Sequence, residues 1–377
     1  MTEKYLVHIR NVLVTLLVIV FLAVLKVTGS VSINLVLALL IFFFIIPLVS
    51  FLERKHVPQT LVSFIAIMMV IVVFATASWF IAYVAELLVT NLPAYADKMD
   101  KFDAMLMSFL GRWINVPEES TISSFFNIDW VGVVMPMLRS ISGTAFDVLK
   151  NSLIMIIFVS FLIIERHTIV PKIELAVAKD NQQQAVSILD KCNRQVSKYL
   201  GIKFLISLLT GILFYVVAKI AKLDFASIWG VLAVIMNFIP TFGSIIITAL
   251  IILMAMVQYL PMWTPIIFVS VFSVAIQFVL GNIVEPRIQG NQLNLSPFVI
   301  IVAVSVFGYI WGFVGMFLAV PLLSIIVIVM SNFKATRGIA VMLSSPESLR
   351  RNMEYMNEND DKKQPSLFNS DYQSQQH

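Results

Sequence analysis

The run INLVLALLIFFFIIPLVSF, Ile33 to Phe51, holds nineteen residues and no charge. A helix rises about 1.5 Å per residue, so roughly 20 apolar residues cross a hydrocarbon core of about 30 Å. Lipid offers no hydrogen bonds, so every backbone N–H and C=O in such a run must be satisfied within the segment, as a helix does. The run therefore reads as a membrane span, and the rest of the chain can be measured against it.

The whole composition points the same way. Of 377 residues, 59% are hydrophobic, 13% are charged and 29 are phenylalanine, whereas soluble domains are about a quarter charged. Mean hydropathy is +0.92. Before Ile33, a first span over Asn11 to Leu25 is joined to the second by a turn at Gly29 and Ser30. No small-residue cleavage site follows that first span, so it reads as uncleaved. After Phe51 the charged knot Glu53-Arg54-Lys55-His56 ends the hairpin. A third span starts at Leu61 and stays apolar to Tyr83; Glu86 and Asn91-Leu92-Pro93 then mark a helix running out past the headgroups.

Beyond Pro93 the chain turns polar as far as Thr144, with Tyr95, Met99, Phe102, Met105, Leu106 and Phe109 at helical spacing, the pattern of an amphipathic helix. A fourth span, Phe146 to Ile164, closes at Glu165-Arg166-His167. The polar segment that follows reaches Lys203 and places Leu189, Cys192, Val196 and Tyr199 on one helical face, which suits either an oligomer contact or a face resting on the bundle. A fifth span covers Phe204 to Ala221, and an ordinary span covers Trp263 to Leu280. On either side of the latter lie two over-long apolar regions. One, 228–257, is interrupted by NFIPTFGS (Asn237 to Ser244); the other, 298–330, is interrupted by GYIWGFVG (Gly308 to Gly315) and by Pro321. Proline removes a helical donor, so each region is either a kinked span or a re-entrant hairpin.

The expected architecture is all-α, a polytopic bundle of about eight spans with broken or re-entrant helices in its carboxy-terminal half. It divides into three spans (1–92), an extracytoplasmic amphipathic segment (93–145), a fourth span with a basic helix (146–203), the carboxy-terminal spans (204–335) and a tail of disordered composition (336–377). The basic residues cluster in alternate loops, at Lys4 and Arg10, at Arg54 and Lys55, from Arg166 to Lys203, and from Lys334 onward. Positive loops stay in the cytoplasm, which puts both termini inside and the 93–144 segment outside. Topology thus accounts for the net charge of +4 without invoking nucleic acid. The single cysteine, Cys192, forbids an internal disulfide, and all four histidines fall outside the apolar runs. No metal centre, catalytic constellation or Walker-type phosphate loop is expected, and no cofactor.

The polar residues that could carry function gather in GNIVEPRIQGNQLNLSPF, Gly281 to Phe298. Glu285 and Arg287 flank Pro286 at the end of a span. They either cap it at the headgroups or form an opposite-charge pair lining a hydrated vestibule with Asn282 and Gln289, because an ionised group deep in lipid costs roughly 2.5–3.5 kcal/mol on insertion scales. Broken helices in corresponding positions point to transport sites, since freed backbone groups can face a solute. On one break lie Asn237, Pro240 and Gly243; on the other lie Gly308, Gly312, Gly315 and Pro321. Close helix packing explains the same small residues.

NFIPTFGSIII together with GNIVEPRIQGNQLNLSPFVIIVAVSVFGYIWGFVGMFLAVPLLSIIV resembles the carboxy-terminal half of the autoinducer-2 exporter family of bacterial membrane proteins. The likeness runs over about 5–335, and in the amino-terminal half it is one of layout only. It matches the family's motif at Asn237, Pro240, Gly243, Gly281, Asn282, Glu285, Pro286, Arg287, Gly290, Pro297, Gly315 and Pro321. The resemblance implies an inner-membrane transporter of seven or eight spans, carrying a quorum-sensing signal in some members and exchanging sodium for protons in others, and assembled as a homo-oligomer, a pentamer. Together with the resemblance, which implies a hydroxylated furanone signal, autoinducer-2, the expected function is export of a small polar solute, and the amide-rich stretch from Gly281 to Phe298 suits such a neutral, hydroxyl-bearing molecule. The alternatives are cation/proton antiport, for which Glu285, Glu86 and Asp224 are the candidate carboxylates, and a membrane scaffold that transports nothing.

Overall fold

The computed structural model describes residues 2–110, 130–289, 295–333 and 335–345. Gly290 and the tail after 345 lie outside them, as does the polar stretch 111–129. The described residues form an all-α protein of eleven α-helices and one π-helical stretch, with an isolated bridge between Leu295 and Ser344. In chain order the helices are α1 (Thr2–Val27), α2 (Gly29–Arg54), α3 (Gln59–Leu110), α4 (Trp130–Ala176), α5 (Lys179–Ile220), α6 (Ala226–Asn237), α7 (Phe242–Tyr259), α8 (Trp263–Phe278), the π-helical Val279–Val284, α9 (Glu285–Gln289), α10 (Pro297–Ser331) and α11 (Arg337–Leu343). Seven segments are long and apolar enough to cross a membrane, and 12–27 and 226–237 are shorter apolar helices. The chain is a multi-pass membrane protein.

Helices outrun the expected spans; α4 runs from Trp130 to Ala176, beyond both ends of the span expected over Phe146 to Ile164 and through its Glu165-Arg166-His167 close. Pro93 does not end α3, which continues to Leu110; proline deletes one backbone bond, and the flanking turns carry the helix on. The side chains expected to give that stretch its amphipathic face lie outside the described residues. In α5 the basic segment and the fifth span are one continuous helix. Its face of Cys192, Val196 and Tyr199 is buried against the bundle, and the Ser197 hydroxyl donates to the Phe43 carbonyl of α2.

Both over-long apolar regions reverse direction. Between α6 and α7, Pro240 cannot donate to the helix, Thr241 adopts φ 62°, and the Phe242 and Gly243 amides bond back to Pro240 and Ile239. At the far end of α7 the Tyr259 hydroxyl lies 2.6 Å from the Ala221 carbonyl, just ahead of α6. Helix α10 folds at Gly312, where φ 63° and ψ −143° occupy a region essentially restricted to glycine. A straight helix of its 35 residues would be about 52 Å long. Its first turn is instead tied to the end of α11, through the Ser296 amide and the Leu343 carbonyl, so its second limb must run back beside its first.

Glycine makes both reversals possible. A β-carbon on Gly243 would sit 1.7 Å from the Met236 carbonyl oxygen, and one on Gly315 would sit 1.9 Å from that of Phe307. Two apolar cores result. One joins α2, α4 and α10, and the other joins α5 to α8 through Phe214, Ile247, Ile251 and Val269. The tip of the first hairpin bridges them: Phe238 packs on Phe317 of α10 with ring centroids 4.6 Å apart, and Ile239 is buried in the first core.

Candidate functional site

Along α5 one face can be followed by stepping three and four residues, through Cys192, Val196, Tyr199, Lys203, Ser207, Thr210 and Phe214. Every one of these is buried. The stripe begins and ends apolar but carries a cation and three hydroxyls, those of Tyr199, Ser207 and Thr210, in its middle. Lys203 is only 4% exposed, and a lysine in such a place needs a counter-charge. Its Nζ lies 2.6 Å from Oε1 of Glu285 on α9, and the Gln289 amide donates to the same oxygen at 3.1 Å. One helical turn further along α5, the Ser207 hydroxyl accepts from the Asn237 amide at 3.0 Å, at the end of α6.

Glu285 reaches Lys203 because α8 does not end cleanly. Pro286 lacks the N–H that would close on Asn282, and the helix widens into the π-helical stretch Val279–Val284 before α9. Such π-turns inside a helix are frequent at functional sites.

Next to this ion pair lies a groove of about 640 Å³ between α7 and α8, lined by Pro240, Thr241, Ser244, Thr248, Gln277, Asn282, Lys203 and Glu285, with Ile245, Val274 and Phe278 as apolar walls. Its size falls within the roughly 300–1,000 Å³ of small-molecule sites. In Gln277 both the amide nitrogen and the amide oxygen are buried without a hydrogen-bond partner among the described residues. A buried amide in that condition costs about 1–3 kcal/mol unless a water or a ligand satisfies it. The groove thus combines an unsatisfied amide, hydroxyls and a compensated ion pair, which suits a hydroxyl-rich solute of little net charge.

The residues expected from the sequence divide. Pro240, Asn282 and Glu285 line the groove, Gln289 supports Glu285, and Asn237 is buried one step behind it. Gly290 lies outside the described residues. Pro286 and Arg287 are exposed. The expected Glu285–Arg287 pair is not formed: the partner of Glu285 is Lys203, because residues two apart in a helix point to nearly opposite sides, so the carboxylate faces α5 and the guanidinium is exposed. Gly243 serves the hairpin turn. On α10, Gly308 and Gly315 are close-approach positions, Gly312 is the fold and Pro321 is buried. The two breaks are therefore not brought to one groove. The second has its tip at Trp311, whose indole N–H donates to the Leu25 carbonyl and to the Ser32 hydroxyl, beside the α1–α2 turn.

Sequence reasoning assigned Lys203 to a basic loop and passed over Gln277. The signal for Lys203 was present, since it continues the 192, 196, 199 register. Nothing marked Gln277 in an otherwise apolar helix except its polarity.

The model of the AI-2E family transporter matches residues 15–335. A protein of Borreliella burgdorferi, provisionally named a transport protein, is 28% identical over 335 residues, covering 88% of this chain and 90% of its own. The AI-2 transport protein TqsA of Escherichia coli (strain K12) is 27% identical over 331 residues, or 87% of this chain and 93% of its own. YhhT of the same organism, again a provisional transport protein, is 27% identical over 345 residues, 90% and 95% of the two chains.

Proposed function

We propose, since this chain belongs to the AI-2E family of transporters, that it is a secondary transporter of the bacterial inner membrane which exports autoinducer-2, a small hydroxylated signal, through the groove between α7 and α8. Both termini face the cytoplasm in this reading, and the protein works as a homo-oligomer. The observation that carries it is the buried, unpartnered amide of Gln277 in a groove whose other polar walls are hydroxyls, Asn282 and the Lys203–Glu285 pair. A neutral polyol needs donors and acceptors to replace its water, and no net charge to hold it. A TqsA-like substrate also fits the relatives, one of which is named for AI-2 transport.

The Lys203–Glu285 pair favours a second reading, cation/proton antiport. A carboxylate with a displaceable internal cation can exchange that partner for a proton or a sodium ion, and intramembrane carboxylates commonly carry such a role. Flux in proteoliposomes separates the two. Export of autoinducer-2 by the parent, with no cation exchange, supports the exporter. Cation exchange in the parent that Glu285→Gln abolishes supports the antiporter. Proteoliposomes that move neither would leave a scaffold as the remaining account.

A further inference from the structure

A second, larger groove, with a volume of about 1310 Å³, lies between α2, α4 and α5 and shares α5 with the first: Ile202 and Phe204 line it on either side of Lys203. That exceeds the roughly 1,000 Å³ at which small-molecule sites end. Its walls differ in character. Apolar side chains on α2 and α4 line one side, Leu39, Phe42, Phe44, Ile46 and Leu162 among them, while α5 contributes Arg194 and Lys198. Arg54 and Arg166 close one end. From Leu39 to Arg54 the groove follows α2 for sixteen residues, about 22 Å from first to last, which equals one leaflet of a bilayer some 40–45 Å thick with its headgroups.

The charge is unbalanced. Four cations, Arg54, Arg166, Arg194 and Lys198, face one lining carboxylate, Asp190, and Glu53 behind them bonds Arg166 and His167. Arg194 reaches Asp190 only at 3.8 Å, with both side chains 70% exposed, a pair worth little. Arg166 is more telling. Its Nη2 is held by Glu53 at 2.6 Å, but its Nη1 is buried and has no partner among the described residues. A fixed guanidinium with one edge satisfied and the other vacant is the geometry that receives a phosphate oxygen.

We infer that this groove is a binding site for an anionic phospholipid, whose phosphate lies among Arg166, Arg54, Arg194 and Lys198 and whose acyl chains lie along the apolar wall of α2 and α4. Basic pockets between membrane helices recognise headgroups by this chemistry. The site does not depend on the transported solute.

Photoreactive acyl-chain phosphatidylglycerol tests it, with the full-length protein in phosphatidylcholine nanodiscs and a phosphatidylcholine probe in parallel. The phosphatidylglycerol probe should cross-link within Leu39–Arg54 and Leu162–Val170 in clear preference to phosphatidylcholine. Arg54→Gln/Arg194→Gln/Lys198→Gln should cut that labelling by about 100-fold, at roughly a factor of five per cation near an anionic headgroup, while labelling by the phosphatidylcholine probe stays at parent level. Should the triple variant fail to fold, Lys198→Gln alone should still cut phosphatidylglycerol labelling about five-fold while leaving phosphatidylcholine labelling unchanged. Equal labelling by the two probes, or undiminished labelling of both variants, would overturn the site. So would displacement by glycerol 3-phosphate alone, which assigns the groove to a free phosphoester, or cross-links from the groove to a second copy of the chain in place of lipid.

Discussion

Replacing Lys203 by methionine keeps the aliphatic stem that packs against α9 and removes only the charge. The Lys203 and Glu285 side chains are 5% and 18% exposed, and their charged atoms are 2.6 Å apart. At an effective dielectric of about 20, two unit charges at that separation attract by roughly 6 kcal/mol. Desolvation of both groups offsets most of this, so the intact pair contributes little net stability. A lone survivor keeps the desolvation cost and loses the attraction, at about 3–5 kcal/mol. Lys203→Met strands Glu285 with the Gln289 amide alone, and Glu285→Gln strands Lys203. Each single variant should lower the unfolding free energy, followed by dodecyl sulfate titration of the micelle-solubilised protein, by about 3 kcal/mol or more. The double variant should recover about 2 kcal/mol of the summed loss, within the range of coupling between contacting residues. Single variants within 0.5 kcal/mol of the parent would mean that water solvates the surviving charge, and strictly additive losses would mean that the two groups do not interact; either result refutes the buried pair.

Other substitutions probe the hairpins and the orientation. Gly315→Ala and Gly243→Ala place a β-carbon 1.9 Å and 1.7 Å from a backbone carbonyl oxygen, and should abolish monodisperse protein on size exclusion, whereas Gly29→Ala, which meets nothing within 4 Å, should behave as parent. Gly312→Ala finds open space but a conformation only glycine favours, so it should cost about 1–3 kcal/mol of strain in the same titration, and asparagine should not rescue it. Asn237→Ala leaves a buried Ser207 hydroxyl without its donor and should cost about 1–3 kcal/mol; Asn237→Ala/Ser207→Ala should restore part of that. For orientation, Cys192 is a poor reporter because it is buried. An exposed Lys179→Cys in a Cys192→Ser background should escape an impermeant thiol reagent in intact spheroplasts and react after permeabilisation, and labelling before permeabilisation would reverse the topology.

The spans were legible because lipid leaves a chain few choices: a run such as Ile33 to Phe51 has to be a helix. The breaks were legible as breaks, at Pro240 and Gly312, while the choice between a kinked span and a re-entrant hairpin stayed open. Whether a helix bends or folds back depends on how closely the two limbs can approach, and that becomes visible only in the contacts of Gly243 with Met236 and of Gly315 with Phe307. Glu285, which the sequence leaves as either a headgroup cap or half of a charge pair, is paired. The partner was sought two residues away at Arg287, though it lay 82 residues earlier in the chain, on another helix. Sequence proximity is a poor guide to ion pairing once a helical turn aims neighbouring side chains in different directions. The periodic face of α5 could have supplied the answer, because a lysine in register with buried Val196 and Tyr199 cannot be a loop residue.

The account stands most directly on the groove between α7 and α8 being a hydrated solute site. Ser244 lines it midway between Thr241 and Thr248. In a Cys192→Ser background, the rate at which Ser244→Cys reacts with a small hydrophilic thiol reagent in proteoliposomes can be measured with and without autoinducer-2. The account predicts ready modification that slows as the signal is added, saturably, and loses this protection in Gln277→Leu. No modification, or modification indifferent to the signal, would contradict it.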